Sequence, residues 1–245
     1  MKAIIYKIFC YYKRNISELI LQIISSLIGV LPIYWMLQND GLNSSEMQVV
    51  VFSYLIAYFI SNVMIGVCFE YYRDYLLINN VDLYLSKVSK FQYILIYSIF
   101  YVLMNGWIVF VVYTGLFGVN LFAILVSLSM TASLFLIIMT ALFIVFLCTV
   151  SILLAKIIDR TKMFSMGSLV IGVMLLLSGC YTPLLRVEGW YRVLYYLNPF
   201  YYFVGSLQHV LFGIALPMNS GLFVVCNILL LVGYLFIAKL LKINI

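Results

Sequence analysis

Residues 47–69 read MQVVVFSYLIAYFISNVMIGVCF, a run of 23 residues without Asp, Glu, Lys, Arg or His. As an α-helix this run would extend about 35 Å, which exceeds the hydrocarbon thickness of a bilayer, about 30 Å. Five further segments share this apolar, uncharged character. The six predicted spans are 19–37, 47–69, 91–113, 121–155, 164–181 and 221–238. We therefore predict an all-α integral membrane protein in which residues 1–245 form a single transmembrane domain.

The composition excludes most soluble classes of protein. Hydrophobic residues make up 66% of the chain and charged residues 9%, whereas about 45–50% and about 25% are usual for soluble domains. So few charges cannot cover a water-facing surface, which argues against a soluble enzyme, a nucleic-acid binder and a disordered protein. Basic residues at the ends of membrane helices explain the formal net charge of +6 better than a nucleic-acid partner does.

The fourth segment, 121–155, is long enough for one helix of about 52 Å or for two short spans. The distribution of Lys and Arg decides between these alternatives. Six spans with a cytoplasmic N-terminus place twelve basic residues inside and two, Arg186 and Arg192, outside, whereas seven spans place nine inside and five outside. The positive-inside rule therefore favours six spans with both termini in the cytoplasm. We expect the surplus length to form a bent or broken external end near 127–133, SLSMTAS.

The three longest segments outside the predicted spans are 1–18, 70–90 and 182–220. Residues 1–18 place apolar and basic side chains on opposite sides of a helix, which is typical of a helix in the cytoplasmic interface, although a basic flank that only sets orientation fits equally well. Residues 70–90 form a cytoplasmic loop of mixed charge, either a solvated loop or a helix that docks on a cytoplasmic partner. Residues 182–220 form the largest external segment.

The external segment is rich in aromatic residues. The range from Tyr181 to Phe212, with both end residues included, holds ten aromatic residues. Rings with polar tips favour the headgroup region of a bilayer. Pro199 cannot continue a helix without losing a hydrogen bond, so we predict two short helices that meet at Asn198–Pro199. We expect both helices to lie partly submerged in the outer leaflet.

The sequence indicates no chemistry on this chain itself. The dipeptide Gly-Lys, which a Walker A motif needs, is absent, and no Ser/His/Asp set suggests an active site. The five cysteines form no Cys-x-x-Cys motif, so we expect no disulfide and no metal. We predict no catalytic residue and no cofactor on this chain, and we expect His209 to be a packing residue. Asn62 and Asn105 are the best candidates for a substrate path, because each lies mid-span beside small or aromatic residues.

One motif lies directly before the third predicted span, and a second motif begins at the end of the fifth. The first is LSKVSK at 85–90, and the second comprises SGCYTP at 178–183, Trp190 and NPFYY at 198–202. With the order of spans and loops, these motifs resemble the permease subunit of type-2 ATP-binding-cassette exporters, which carries Leu-Ser-Pro-aliphatic-Ser-basic before span three and Ser-Gly-x3-Pro, Trp and Asn-Pro-x2-Tyr after span five. The departures from the family pattern are Lys87 in place of Pro, Glu188 in place of Pro, and Gln208-His209 where Arg is common.

The resemblance implies a core of two permeases, either two copies of this chain or this chain and a relative, over two separate ATP-binding-cassette ATPase subunits. ATP and Mg would bind to those subunits, and membrane lipid would surround the permeases. The implied ATPase-coupling loop consists of Asp82, Leu85, Ser86, Lys87, Val88 and Lys90. The implied external gate segment consists of Ser178, Gly179, Pro183, Trp190, Asn198, Pro199 and Tyr202.

Small family members of this shape resemble exporters that remove amphipathic peptides or hydrophobic drugs from bacteria. We therefore expect this chain to move an antimicrobial peptide or a drug out across a bacterial plasma (inner) membrane, with energy from the separate ATP-binding subunit. Export of a lipid-linked polysaccharide is the alternative within the family. An uncoupled channel or ion carrier, which would need no ATPase, is the alternative outside it.

Overall fold

The computed structural model describes residues 6, 10, 16–41, 43–71, 89–118, 121–158, 163–180 and 191–240, and all regular secondary structure in these ranges is helical. The prediction of an all-α protein is confirmed for this part of the chain. The helices, in chain order, are α1 (Ile16–Asn39), α2 (Ser44–Tyr71), α3 (Lys90–Phe117), α4 (Leu121–Val126), α5 (Met130–Ile157), α6 (Met163–Leu176), α7 (Tyr191–Tyr196), α8 (Pro199–Phe212) and α9 (Ser220–Leu240).

Among the residues that the structure describes, five helices are long and apolar enough to cross a membrane, as expected of a multi-pass membrane protein. These candidate spans are Ile20–Asn39, Ser44–Glu70, Phe91–Phe117, Met130–Leu154 and Ser220–Lys239. The remaining predicted span, 164–181, is shorter than expected, because α6 has 14 residues and so rises only about 21 Å. Shortly after its end Gly179 adopts a φ of +83°, a left-handed conformation in which a helix does not continue. The sixth span and the orientation of the termini stay predictions.

The fourth predicted segment is broken, as its sequence indicated. The break falls at 127–129, between α4 and α5. Ser127 Oγ donates a hydrogen bond to the Ile124 carbonyl at 2.8 Å, and Ser129 Oγ accepts one from the Ala132 amide at 3.2 Å as the N-cap of α5. Ser127 thus adds a second donor to a carbonyl that its own amide also reaches, and Ser129 satisfies an amide that the break would otherwise leave unpaired.

Helix α2 lies at the centre of the bundle. It packs against α1, α3, α5, α6 and α8, and Leu55 near its middle is completely buried. Helices α2 and α3 run antiparallel, because Gly66 lies against Tyr101 whereas Phe52, earlier on α2, contacts Tyr113, later on α3. The central position of α2 means that a movement of this helix must be accommodated by most of the other helices.

Helix α8 is enclosed by other helices. Nine of its 14 residues are buried, and it packs against α2, α5, α7 and α9. The ring of Phe203 stacks on Phe143 of α5 with centroids 3.9 Å apart, and Tyr202 packs against Phe223 of α9 at 4.8 Å. The aromatic content of this segment predicted contact with lipid headgroups, whereas in α8 it forms protein core. Rings with polar tips suit a protein interior as well as a membrane interface, and the position of the two short helices in the outer leaflet stays a prediction.

Two predicted segments lie largely outside the described residues. Of the interfacial helix at 1–18 the structure describes Tyr6 and Cys10, which are both helical, and 16–18, which begin α1. Of the loop at 70–90 it describes the two ends, 70–71 in α2 and 89–90 at the start of α3. The interfacial helix and the docking helix therefore stay predictions.

Candidate functional site

The turn after α6 carries the first part of the predicted external gate segment. Ser178 Oγ donates to the Leu175 carbonyl at 2.6 Å and accepts from the Cys180 amide at 3.3 Å. Gly179 follows with its positive φ, a conformation that glycine adopts without strain. The Ser-Gly pair therefore satisfies one carbonyl in the last turn of α6 and turns the chain away from the helix axis.

Asn198 ties the start of α8 to the end of α6. Its Oδ1 accepts from the Phe200 amide at 3.1 Å as the N-cap of α8, and its Nδ2 donates to the Met174 carbonyl. Met174 lies in the last turn of α6, where carbonyls have no partner within the helix. Pro199 occupies the first turn of α8, where its missing N–H removes no hydrogen bond. One asparagine side chain thus serves the N-terminus of one helix and the C-terminus of another.

Tyr202 links α8 to α7. Its hydroxyl donates to the carbonyl of Tyr196, the last residue of α7, at 3.1 Å, and its ring is buried. The structure thus places five of the seven predicted residues of the external gate segment at the junction of α6, α7 and α8. These are Ser178, Gly179, Asn198, Pro199 and Tyr202. The other two, Pro183 and Trp190, lie outside the described residues.

Gln208 connects this junction to the central helix α2. Its Nε2 donates to Ser53 Oγ of α2 at 2.9 Å and to the Gly179 carbonyl at 3.3 Å. The Ser53 hydroxyl in turn donates to the Val49 carbonyl at 2.7 Å. Gln208 is 1% exposed, and its Oε1 has no hydrogen-bond partner among the residues that the structure describes. One buried amide, in the last turns of α8, therefore contacts both the turn after α6 and the first half of α2.

We call Ser53, Ser178, Gly179, Asn198 and Gln208 the polar cluster. Hydrogen bonds between membrane helices contribute about 0.6 kcal/mol each on average and about 1.7 kcal/mol at most, so the cluster stabilises the bundle modestly. A shifted arrangement of α8 would leave its buried amides unpaired, which costs more than the bonds contribute. The polar cluster therefore favours one position of α8 relative to α2 and α6.

Neither Ser53 nor Gln208 was among the predicted site residues. Gln208 was noted only as a departure from the family pattern. Ser53 could not be distinguished from the other polar residues in the predicted spans. A signal for Gln208 was present, because Tyr201, Val204 and Gln208 lie on one α-helical face, and all three are buried. A glutamine on a buried face needs partners on a neighbouring helix. No comparable signal distinguished Ser53 from the other serines.

The two predicted substrate-path residues lie at the interface of α2 and α3. Gly66 of α2 contacts Tyr101 of α3, and Asn62 and Asn105 each lie one turn from that contact in the antiparallel pair. Asn105 Nδ2 donates to the Tyr101 carbonyl at 2.9 Å. Asn62 Nδ2 and Asn105 Oδ1 are buried without a hydrogen-bond partner in the described part of the chain. The interface thus holds one unused donor and one unused acceptor.

Lys90 belongs to the predicted coupling loop and is the first residue of α3. The N-terminus of α3 is closed by a capping box with Ser89 as the N-cap. Ser89 Oγ accepts from the Gln92 amide and Gln92 Oε1 accepts from the Ser89 amide, both at 3.2 Å. The LSKVSK motif therefore ends directly at a capped helix. The other predicted residues of the coupling loop lie outside the described residues; they are Asp82, Leu85, Ser86, Lys87 and Val88.

The described ranges contain no group of three or more His, Cys, Asp or Glu side chains that could hold a metal ion. His209 Nδ1 is hydrogen-bonded to the Ile214 carbonyl at 2.8 Å, and its ring contacts Phe135 edge-on. Among the cysteines, Cys148 Sγ donates to Ser98 Oγ at 3.3 Å. These side chains contact a loop carbonyl, a ring and a hydroxyl, as packing residues do.

A comparison with protein families places these features in context. The family model described as "ABC-2 type transporter" matches residues 82–212, just over half of the chain. The matched range runs from the predicted coupling loop through α3, α4, α5, α6 and α7 to the end of α8, and it contains the polar cluster apart from Ser53. No curated protein matches the chain.

Proposed function

This chain belongs to the ABC-2 type transporter family, and from that premise we propose that it is the permease subunit of an ATP-driven exporter. The proposed substrate is an amphipathic or hydrophobic molecule, an antimicrobial peptide or a drug, which leaves a bacterial cell across the plasma (inner) membrane. The proposed complex holds two ATP-binding-cassette ATPase subunits and a second permease chain. ATP and Mg bind to the ATPase subunits, and both termini of this chain are cytoplasmic.

The observation that carries the proposal is the connection between α2 and α8 through the polar cluster. Helix α2 ends at Tyr71, where the predicted coupling loop begins. Ser53 lies 18 residues earlier on the same helix, about 27 Å away, and bonds to Gln208. A continuous helix moves as a rigid rod, so a displacement of the coupling loop by the ATPases would reach Gln208 and α8 directly. This connection supports mechanical coupling between ATP hydrolysis and the external gate segment.

The chemistry of the bundle interior supports an uncharged or amphipathic substrate. Away from their ends, the described candidate spans carry hydroxyls and a few amides, and their ionisable residues lie at or near the ends, namely Glu46, the buried Glu70 and Lys239. Secondary carriers that couple to protons use carboxylates, His or Arg within the membrane instead. The unused donor of Asn62 and the unused acceptor of Asn105 match the two groups of a peptide amide. A peptide that passes between α2 and α3 in an open state would pair with both side chains.

The test is transport by the complex in inside-out membrane vesicles. A fluorescent amphipathic peptide and a hydrophobic dye serve as probes, and ATP or no nucleotide is supplied outside the vesicles. The control vesicles carry the same complex with the Walker A lysine of the ATPase subunit replaced by alanine. The proposal expects uptake of at least one probe that depends on ATP and is lost in the control.

Two other outcomes would overturn the proposal. Uptake that is equal with and without ATP would indicate an uncoupled channel or ion carrier. ATPase activity that is stimulated by a lipid-linked polysaccharide and by neither probe would indicate the polysaccharide exporter. In both cases the family membership stands, and the substrate or the coupling is reassigned.

A further inference from the structure

An apolar cavity of about 310 Å³ lies inside the chain, between α2, α3, α4, α5 and α8. Phe59 of α2 and Phe203 of α8 form its inner wall, Leu125 of α4 forms a side wall, and Gly106 and Trp107 of α3 line the opposite side. Protein interiors are close-packed and leave few voids of this size. The cavity is comparable to the smaller ligand sites of proteins, which begin at about 300 Å³.

Two glycines of α3 create the space. A Cβ atom on Gly106 would meet only Phe59 Cε2, at 4.0 Å, and a Cβ atom on Gly115 would meet no described atom within 4 Å. The break at 127–129 lets α4 fold back beside α3 and close the side of the cavity. The cavity therefore follows from two absent side chains and one interrupted helix.

The cavity continues along α3 to the outer surface of the bundle. A wider depression of about 780 Å³ shares Trp107 and Phe110 with the cavity and extends to Gly115 and Phe122. Trp107 is 67% exposed and Phe122 68% exposed. Because α3 is a candidate membrane span, the apolar side chains exposed on it are suited to contact with hydrocarbon. We call the cavity and the depression together the α3 groove.

The lining of the groove favours hydrocarbon. None of the described residues that line it is charged or carries an amide. The hydroxyl of Thr140 inside the cavity already donates to the Leu136 carbonyl at 2.8 Å, and Thr114 lies in the outer part. Apart from the indole N–H of the exposed Trp107, the inner part therefore offers dispersion contacts. A molecule that enters from the bilayer would leave its polar portion outside.

We propose that the α3 groove binds one acyl chain of a bilayer phospholipid, with the end of the chain against the rings of Phe59 and Phe203. Phospholipid is the apolar ligand available in excess at an opening inside a membrane, and an empty cavity would forfeit the contacts of its walls. The bound chain would fill the space between α3 and α8 and support the buried position of α8. This site does not rest on the proposed exporter function.

The test is photocrosslinking of the full chain, with any subunits that co-purify, in phosphatidylethanolamine and phosphatidylglycerol vesicles. The probe is a phosphatidylcholine with a diazirine near the end of one acyl chain, and adducts are mapped by peptide mass spectrometry. We expect adducts on Phe203 and Leu207 of α8, in addition to those on the outward-facing Ile228 of α9. Phe203 is 5% exposed, so bulk lipid cannot label it.

A cavity-filling variant supplies the matched comparison. Gly106→Leu should reduce the adducts on α8 at least five-fold and leave those on Ile228 unchanged. Gly233→Leu adds the same side chain on α9, where a Cβ atom meets no described atom within 4 Å, and should leave both sets unchanged. If Gly106→Leu does not fold, Gly106→Ala, for which there is room, should give a partial loss of the adducts on α8. Adducts confined to outward-facing residues, or α8 adducts that persist in the filled variants, would overturn the proposal.

Discussion

The side-chain amide of Gln208 on α8 donates a 2.9 Å hydrogen bond to the hydroxyl of Ser53 on α2, although 155 residues separate the two in sequence. The same amide nitrogen reaches the Gly179 carbonyl in the turn after α6. Gln208 thus links the predicted external gate segment to the helix that ends at the predicted coupling loop. The proposed coupling mechanism depends on this contact, and the first prediction addresses it.

Replacing Gln208 should disconnect α8 from α2 without unfolding the chain. Gln208→Leu removes two hydrogen bonds, but it also removes a buried carbonyl oxygen that has no partner in the described part of the chain. The free energy of unfolding in detergent should therefore change by about 1 kcal/mol or less, whereas ATP-driven export should fall several-fold. Ser61→Ala, which removes a half-buried hydroxyl elsewhere on α2, is the control and should export normally. Normal export by Gln208→Leu would contradict the mechanical link.

Replacing Asn198 should separate its two roles. Aspartate is as good an N-cap as asparagine, so a residue that only capped α8 would tolerate Asn198→Asp. Asn198 also donates from Nδ2 to the Met174 carbonyl, and a carboxylate cannot donate. We therefore expect Asn198→Asp to lower the thermal unfolding midpoint at least as much as Asn198→Ala does. In Asn198→Ala the loss of the cap alone should reduce the free energy of unfolding by about 1 kcal/mol. A nearly wild-type midpoint for Asn198→Asp would show that the link to α6 is unimportant.

Replacing Gly66 should push α2 and α3 apart. A Cβ atom on Gly66 would lie 2.5 Å from Cε1 of Tyr101, which is too close for any real contact. We expect Gly66→Ala to destabilise the bundle by about 1–3 kcal/mol, despite the higher helix propensity of alanine. Gly29→Ala on α1, where a Cβ atom meets no described atom within 4 Å, should be neutral or stabilising by up to about 1 kcal/mol. Tyr101→Leu should partly rescue Gly66→Ala, and equal effects at both glycines would refute the close approach.

Replacing the two asparagines at the α2–α3 interface should distinguish a transport role from a structural one. Buried polar atoms without partners destabilise a fold, so Asn105→Leu and Asn62→Leu should preserve or raise the thermal unfolding midpoint. Under the proposed substrate path both variants should still lower peptide export. Export at the level of the unmodified chain would remove Asn62 and Asn105 from the path, and a lower midpoint in both variants would indicate a structural role instead.

Much of the fold was predictable because local chemistry determines it. Runs without charged residues predicted the long helices, Ser127 and Ser129 predicted the break in the fourth segment, and Asn198–Pro199 predicted the boundary between α7 and α8. The early end of α6 was also predictable from Ser178–Gly179, because glycine often follows the last turn of a helix. These features depend on residues close in sequence.

The burial of α8 and the polar cluster could not be predicted in the same way. An aromatic-rich helix suits the headgroup region and the protein core equally well, and only its packing against α2, α5 and α9 decides between them. The partner of Gln208 is a serine from a distant span, and serines in membrane helices commonly bond to their own backbone, as Ser26 does with the Ile23 carbonyl. The roles of Asp82, Pro183 and Trp190 stay predictions.

The proposed dependence of this chain on separate ATPase subunits can be tested by co-purification. A tagged copy would be extracted from its native membrane in mild detergent, and its partners would be identified and counted by mass spectrometry. We expect two ATP-binding-cassette ATPase subunits and a second permease chain, which is either this chain or a relative. Recovery of the chain alone, or only with copies of itself, under conditions that keep other membrane complexes intact would show that no ATPase drives it.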